Sequence, residues 1–169
     1  MRRMSAVAIV LPLLAAGLTF TTPDGWKQAP PASSMRVAEF TLPRVPTDDE
    51  DAQLVVYYFG GSGGSVDANI QRWIGQMQQP DGKPSSAVAK KESRKVNGLT
   101  VSLVDVSGTY TAEMSPGASA HHNNAHYRMR AGVVDTGKGP YFIKLVGPEK
   151  TITKWERAFD QFVGSLKVQ

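Results

Sequence analysis

The apolar positions of this chain change period several times, and each period names an element. Leu18 to Thr22 is a short β-like run stopped by the turn tripeptide Pro23-Asp24-Gly25. Pro30 and Pro31 mark an irregular segment. Met35 to Leu42 then reads as a strand, with Ala38, Phe40 and Leu42 alternating. Pro43, Pro46 and the acidic run Asp48-Asp49-Glu50-Asp51 predict a solvated surface loop. Leu54 to Phe59 is apolar throughout and rich in β-branched and aromatic residues, which suits a central strand covered on both faces. Asn97-Gly98 lies between the β-like runs Ala89–Val96 and Leu99–Val106 and predicts a hairpin, because both turn residues tolerate positive φ. Leu99, Val101 and Leu103 alternate before the phase shifts to Val104 and Val106, as at a bulge or in a fully buried stretch. Tyr127–Asp135 and Tyr141–Val146 predict a second hairpin.

Two stretches follow the helical period instead. From about Ser65 to Gln78, Val66, Ile70, Trp73 and Met77 share one face. Ser65 is a natural N-cap, and Asp67 suits the positive end of the helix dipole. The second helix opens at Gly147-Pro148-Glu149, where proline costs no hydrogen bond. Ile152, Trp155, Phe159, Phe162 and Leu166 form its continuous apolar stripe. Strands in antiparallel hairpins with two separate helices define an α+β class: an antiparallel sheet with helices packed on its faces. Trp73 and Trp155 fall on core-facing stripes. Trp26 is either a plug in the sheet or an exposed contact residue. Tyr57 and Tyr58 point to opposite faces of one strand, so one of them can line a pocket.

The first 17 residues read as an export leader. Arg2 and Arg3 precede an apolar run from Ala6 to Gly17, and Ala15, Ala16 and Gly17 are small enough for a cleavage site. The run is shorter than the ~20 apolar residues of a membrane-spanning helix. The expectation is a signal peptide over 1–17, a single domain over 18–169 and a secreted or periplasmic location. An uncleaved N-terminal anchor is the alternative. A chain of 169 residues fits one domain on a prior of ~100–200 residues each. With no cysteine, it has no disulfide, thiolate metal site or cysteine nucleophile. The leader carries two of the 19 basic residues and none of the 15 acidic ones, so without it the net charge falls from +4 to +2. The densest basic stretch, Lys90, Lys91, Arg94 and Lys95, reads as a guarded strand edge. No nucleic-acid partner and no membrane span in the mature form are expected.

A strand ending at Pro23-Asp24-Gly25-Trp26 leads to a second closing on Phe40-Thr41-Leu42-Pro43. A helix follows the Leu54–Phe59 strand, and two hairpins precede a final helix reading Phe159-x-x-Phe162-x-x-Ser165-Leu166. This layout resembles the PsbP-like fold family, which includes the photosystem II extrinsic subunit and bacterial proteins of related layout. The stretch FGGSGGSVDANIQRW with a later YFIKLVGP is similar to uncharacterised secreted bacterial proteins of this kind. The resemblance spans Leu18 to Val168 and implies an α/β/α sandwich. It implies a non-enzymatic binding or assembly role, but transfers no functional residue, because relatives use different surfaces.

Three motifs carry candidate chemistry. The glycine loop Gly60-Gly61-Ser62-Gly63-Gly64 precedes a helix N-terminus, and exposed N–H groups there favour anions. Gly63, Gly64, Ser65, Asn69 and Arg72 are therefore candidate ligand-binding residues, although the loop lacks the Gly-Lys-Ser/Thr ending of a P-loop. The loop also matches G-x-S-x-G, with Asp105 and then histidines in hydrolase order, so Ser62 is a candidate nucleophile. Antiparallel surroundings and the absence of an upstream oxyanion motif argue against it. His121, His122 and His126 offer imidazoles to a divalent metal, without the acid of a zinc helix motif.

The resulting expectation is a binding or accessory protein without catalysis and with no cofactor. It would act on another cell-envelope protein through loops 43–52, 60–65, 79–88 and 111–126. A small-anion module at the glycine loop, or a metal module at the histidines, is the alternative. A serine hydrolase using Ser62 is a third reading from a different class.

Overall fold

A computed structural model describes residues 13–15 and 17–169. Most of the expected leader, residues 1–12 and 16, lies outside the described residues. Leu13–Ala15 (β1) pairs antiparallel with Leu18–Phe20 (β2), and Lys167–Val168 (β11, at the C-terminus) pairs with the other edge of β2. These three short strands make a small sheet of their own.

The main sheet is entirely antiparallel. Its strands are Lys27–Ala29 (β3), Arg36–Leu42 (β4), Ala52–Tyr58 (β5), Met77–Gln78 (β6), Lys90–Val96 (β7), Leu99–Tyr110 (β8), Asn124–Asp135 (β9) and Tyr141–Pro148 (β10). Their spatial order is β3-β4-β5-β10-β9-β8. The outer edge of β8 is shared: β7 pairs with its first half and β6 with Thr109 and Tyr110. The helices are Val66–Gly75 (α1) and Glu149–Gly164 (α2).

Each face of the sheet buries its own core. On one face, α2 and the small sheet cover Phe40, Leu54, Val101, Ile143 and Leu145. Phe162 of α2 packs within 4.9–6.2 Å, ring centre to ring centre, of Phe20, Trp26 and Phe40. Trp26 is thus a plug in the sheet, buried on that face. On the other face, α1 lies over β8 and β9, and its Ile70, Trp73 and Ile74 meet Val104, Val106, Met129 and Phe142. The result is helix, sheet, helix, the α+β sandwich that alternating hairpins and two amphipathic stripes predict.

Several local expectations change. Leu103 and Val104 are both buried, on opposite faces, with no register shift between them. The phase change there is a fully buried stretch, and the irregularity falls instead between Gly108 and Tyr110. The first helix ends at Gly75 rather than near Gln78, and Met77 keeps its buried apolar role as a residue of β6. Asn97 (φ 47°) and Gly98 (φ 82°) form the tight turn that the Asn-Gly pair predicts. The acidic run is not simply solvated. Asp48 is half-buried and accepts hydrogen bonds from the backbone N–H (3.1 Å) and hydroxyl (2.6 Å) of Thr151 in the first turn of α2. The 79–88 loop contains a 3₁₀ turn at Ser85–Ala87, where the buried Ser85 hydroxyl donates to the Met77 carbonyl.

Candidate functional site

The glycine loop is organised by hydrogen bonds among its own groups. The Ser65 hydroxyl caps α1 by accepting from the Ala68 N–H at 3.1 Å. Asn69 is buried, and its amide donates at 2.8 Å to the carbonyls of both Gly63 and Ser65. The Asn69 Oδ1 in turn accepts from the Arg72 guanidinium at 2.9 Å. Four of the five candidate ligand residues therefore form one linked unit, running from loop to helix and ending in an exposed cation, and Gly64 packs beside it. Gly63 is required by packing: at φ 129°, a Cβ there would lie 2.7 Å from the Phe142 ring. Gly139, on the turn between β9 and β10, closes on Gly61 so tightly that a Cβ would lie 2.4 Å from its Cα.

The hydrolase constellation is not assembled. Ser62 donates to the Phe59 carbonyl at 2.9 Å. Asp105 faces α2, where both its oxygens accept from Arg128 at 2.9 and 2.6 Å. His121 bonds the Thr111 carbonyl at 3.0 Å, His122 lies against the Tyr110 ring, and His126 occupies a positive-φ position (56°) in β9. Among the described residues, no three His, Asp or Glu side chains are grouped to hold a metal ion.

Sequence reading missed two polar assemblies. The first lies between α2 and strands β7 to β9. Arg128 bonds Asp105, Thr153 and Glu156, while Arg130 and Arg94 both reach Asp160. The Arg130 guanidinium also lies 4.7 Å from the Phe159 ring centre. Its multiple carboxylate partners, Asp105 foremost, push Arg128 above the ordinary arginine range. Beside this network run two adjoining open grooves of about 280 and 320 Å³. Gln79, Val88, Lys90, Ser107 and Glu149 line the first, and the two grooves share Lys90, Asp105 and Arg128.

The second assembly lies on the opposite face. Lys144 sits mid-strand in β10 with Val55 and Ala131 as its cross-strand neighbours, a position that otherwise calls for an apolar side chain. Its amine donates to Gln76 Oε1 at 2.7 Å and to the Tyr110 hydroxyl at 3.0 Å. Burial, with a smaller contribution from the Arg72 charge, lowers the Lys144 amine to about 8. Burial raises Tyr110 to about 12, and it raises Tyr57, which also faces Arg36, Glu39 and Arg72. Tyr57 is thus the member of the tyrosine pair on this polar face. No motif announces Lys144, but a lone lysine inside the apolar run Tyr141–Val146 is a signal that periodicity alone passes over.

No family model matches the chain, and no curated protein matches it in sequence. Solved structures do match. The solution structure of cyanobacterial PsbP (CyanoP) from Synechocystis sp. PCC 6803 is similar over 100% of this chain and 99% of its own, with a TM-score of 0.54 and 15% identity. A Pseudomonas aeruginosa protein of unknown function, PA94, is similar over 89% of this chain and 91% of its own, with a TM-score of 0.52 and 14% identity. The chain has a PsbP-like fold. At these identities the likeness concerns the fold alone.

Proposed function

We propose that this protein is a non-enzymatic accessory protein of the cell envelope, exported by its N-terminal segment, that recognises another protein through its surface. One observation carries the reading: the grooves beside α2 are open and charge-lined. Small-molecule sites are usually enclosed and mostly apolar. Here cations and carboxylates alternate across the sheet, from Lys90 on the solvated edge strand β7 through Asp105 on β8 and Arg128 on β9 to Glu149 at the start of α2. Such a surface suits the polar, mixed-charge face of a macromolecular partner, where complementarity sets register and specificity. The likeness to CyanoP supports a scaffold role without naming a partner.

The test is site-specific photo-crosslinking in cells that export the full chain. A photoreactive phenylalanine replaces Val88, which lines the groove and is 52% exposed. A control replaces Met114, 61% exposed in the 111–123 connection between β8 and β9. A discrete protein adduct from position 88, lost on Lys90→Glu, is expected. No adduct from 88, or an equal one from 114, overturns the groove as the docking surface. Fractionation of the same cells tests export, which cytoplasmic retention of the chain would refute.

A further inference from the structure

The face opposite the grooves holds a different feature: Lys144 on the sheet and Arg72, one helical turn before the Gln76 that Lys144 bonds, are two cations that among the described residues pair with no carboxylate. Arg36 pairs with Glu39, Arg44 with Asp51, Arg94 with Asp160, and Arg128 and Arg130 with Asp105. Among the described residues, Arg72 and Lys144 enter no ion pair. Their partners, Asn69, Gln76 and the Tyr110 hydroxyl, are all neutral. Many surface lysines lack a carboxylate at no cost, because water solvates them. Lys144 is different, because it is withdrawn into the sheet face beneath the end of α1. A half-buried ammonium with no counter-ion, and a guanidinium one helical turn from its hydrogen-bond partner Gln76, is a charge imbalance that an anion would relieve.

The surrounding charges fit that assignment. Arg72 approaches from the last turn of α1, and Tyr110 from β8. Tyr57 on β5 lies within electrostatic reach of both Arg72 and Tyr110. The only carboxylate in the same row of the sheet is Glu39 on β4. It stands two strands away across Val55, roughly 10 Å at ordinary strand spacing, and is engaged by Arg36. Donor capacity also remains. The ammonium has three N–H groups and uses two; the guanidinium has five and uses one. Arg72 is exposed, so its unused N–H groups meet solvent, while Lys144 is half-buried behind it.

We propose that Lys144 and Arg72 form a binding site for a small oxyanion, a carboxylate or phosphate group, with the glycine loop acting as its brace. The fork of Arg72 takes one edge of the anion and the free N–H of Lys144 another. Asn69 is the positioning residue: it is pinned to the Gly63 and Ser65 carbonyls and holds Arg72 by its Oδ1. The glycine loop thus serves an anion from behind, at the C-terminal end of α1, rather than with its own N–H groups. The site is independent of the grooves on the other face.

Inorganic phosphate is the probe, titrated into the full chain against chloride at matched ionic strength. The readout is the ¹³Cε resonance of Lys144, followed from pH 6 to 11. Phosphate is expected to shift it saturably and to move its titration to higher pH, since a bound anion favours the charged amine. Arg72→Gln should weaken binding roughly tenfold or more, the usual consequence of losing a charge-assisted hydrogen bond. Asn69→Ala should weaken it less, and Arg44→Gln, whose residue pairs with Asp51 elsewhere, should not change it. Acetate in place of phosphate separates the two oxyanion classes. If the Lys144 resonance responds to phosphate and chloride alike, or if Arg72→Gln leaves a saturable shift intact, the proposal is wrong. Melting curves of each variant show whether the fold survives, and Arg72→Lys, which keeps the charge, distinguishes lost charge from lost structure.

Discussion

Lys144 makes the stability of this protein depend on pH in a direction opposite to ordinary alkaline denaturation. The amine titrates near 8 in the folded chain and at 10.5 when unfolded. Below pH 8 both states hold the proton, and the folded state bears the full cost of the buried charge. Between 8 and 10.5 the folded chain has released the proton while the unfolded chain retains it, so stability rises with pH. A separation of about 2.5 units corresponds to about 3 kcal/mol, most of it recovered by pH 10. Above pH 10 the buried tyrosines reverse the trend. Tyr57 and Tyr110 are raised in the folded chain, so the unfolded chain loses their protons first. Urea unfolding followed by tryptophan fluorescence at pH 7, 8, 9 and 10 measures the effect. The informative quantity is the difference between the wild type and Lys144→Met, an unbranched replacement of similar length. That difference should change by about 2–3 kcal/mol from pH 7 to 10, because Met has nothing to titrate in this window. A difference constant across the range would show that Lys144 is not buried as a charge, and would refute the reasoning.

Other expectations rest on single contacts. Phe162→Ala empties the centre of the aromatic cluster on the α2 face and should cost about 3–5 kcal/mol, read from thermal unfolding by circular dichroism. Asp48→Ala removes the acceptor for the Thr151 backbone and hydroxyl and should cost about 0.5–2 kcal/mol by urea titration. The exposed neighbour Asp49→Ala should stay within about 0.5 kcal/mol of wild type. Gly63→Ala drives a Cβ into Phe142 at an unfavourable φ and should cost about 1–3 kcal/mol, whereas Gly60→Ala, with open space around it, should cost about 1 kcal/mol. Equal midpoints for the two glycine variants would show that the loop is not held against Phe142.

The legible parts of the fold were those governed by local period. Ile152, Phe159 and Phe162 announce the buried stripe of α2 from spacing alone, and all three are buried; Trp155 of the same stripe is only half-buried, and Leu166 is buried but follows the end of the helix at Gly164. Asn97-Gly98 announces its hairpin because few dipeptides accept that backbone. The short strands β1, β3, β6 and β11 were not legible. Two or three residues carry no measurable period, and they become strands only because a neighbouring edge offers hydrogen bonds. The first helix stops at Gly75 for a similar reason: Met77 has an apolar face to bury and an open edge of β8 to pair with, so the continued stripe did not mean a continued helix.

The candidate site divides in the same way. Sequence alone determined that Ser65 caps a helix, that Asn69 and Arg72 follow it at helical spacing, and that a glycine loop precedes them. These are properties of neighbours along the chain. Only the tertiary structure could set Lys144 of β10 beneath the end of α1, or join Arg128 to Asp105 and Glu156. Those pairings depend on strand order and register, which bring together residues tens of positions apart. Periodicity reports which face a residue occupies. It does not report what will stand opposite, and the charge on a buried amine is decided by what stands opposite.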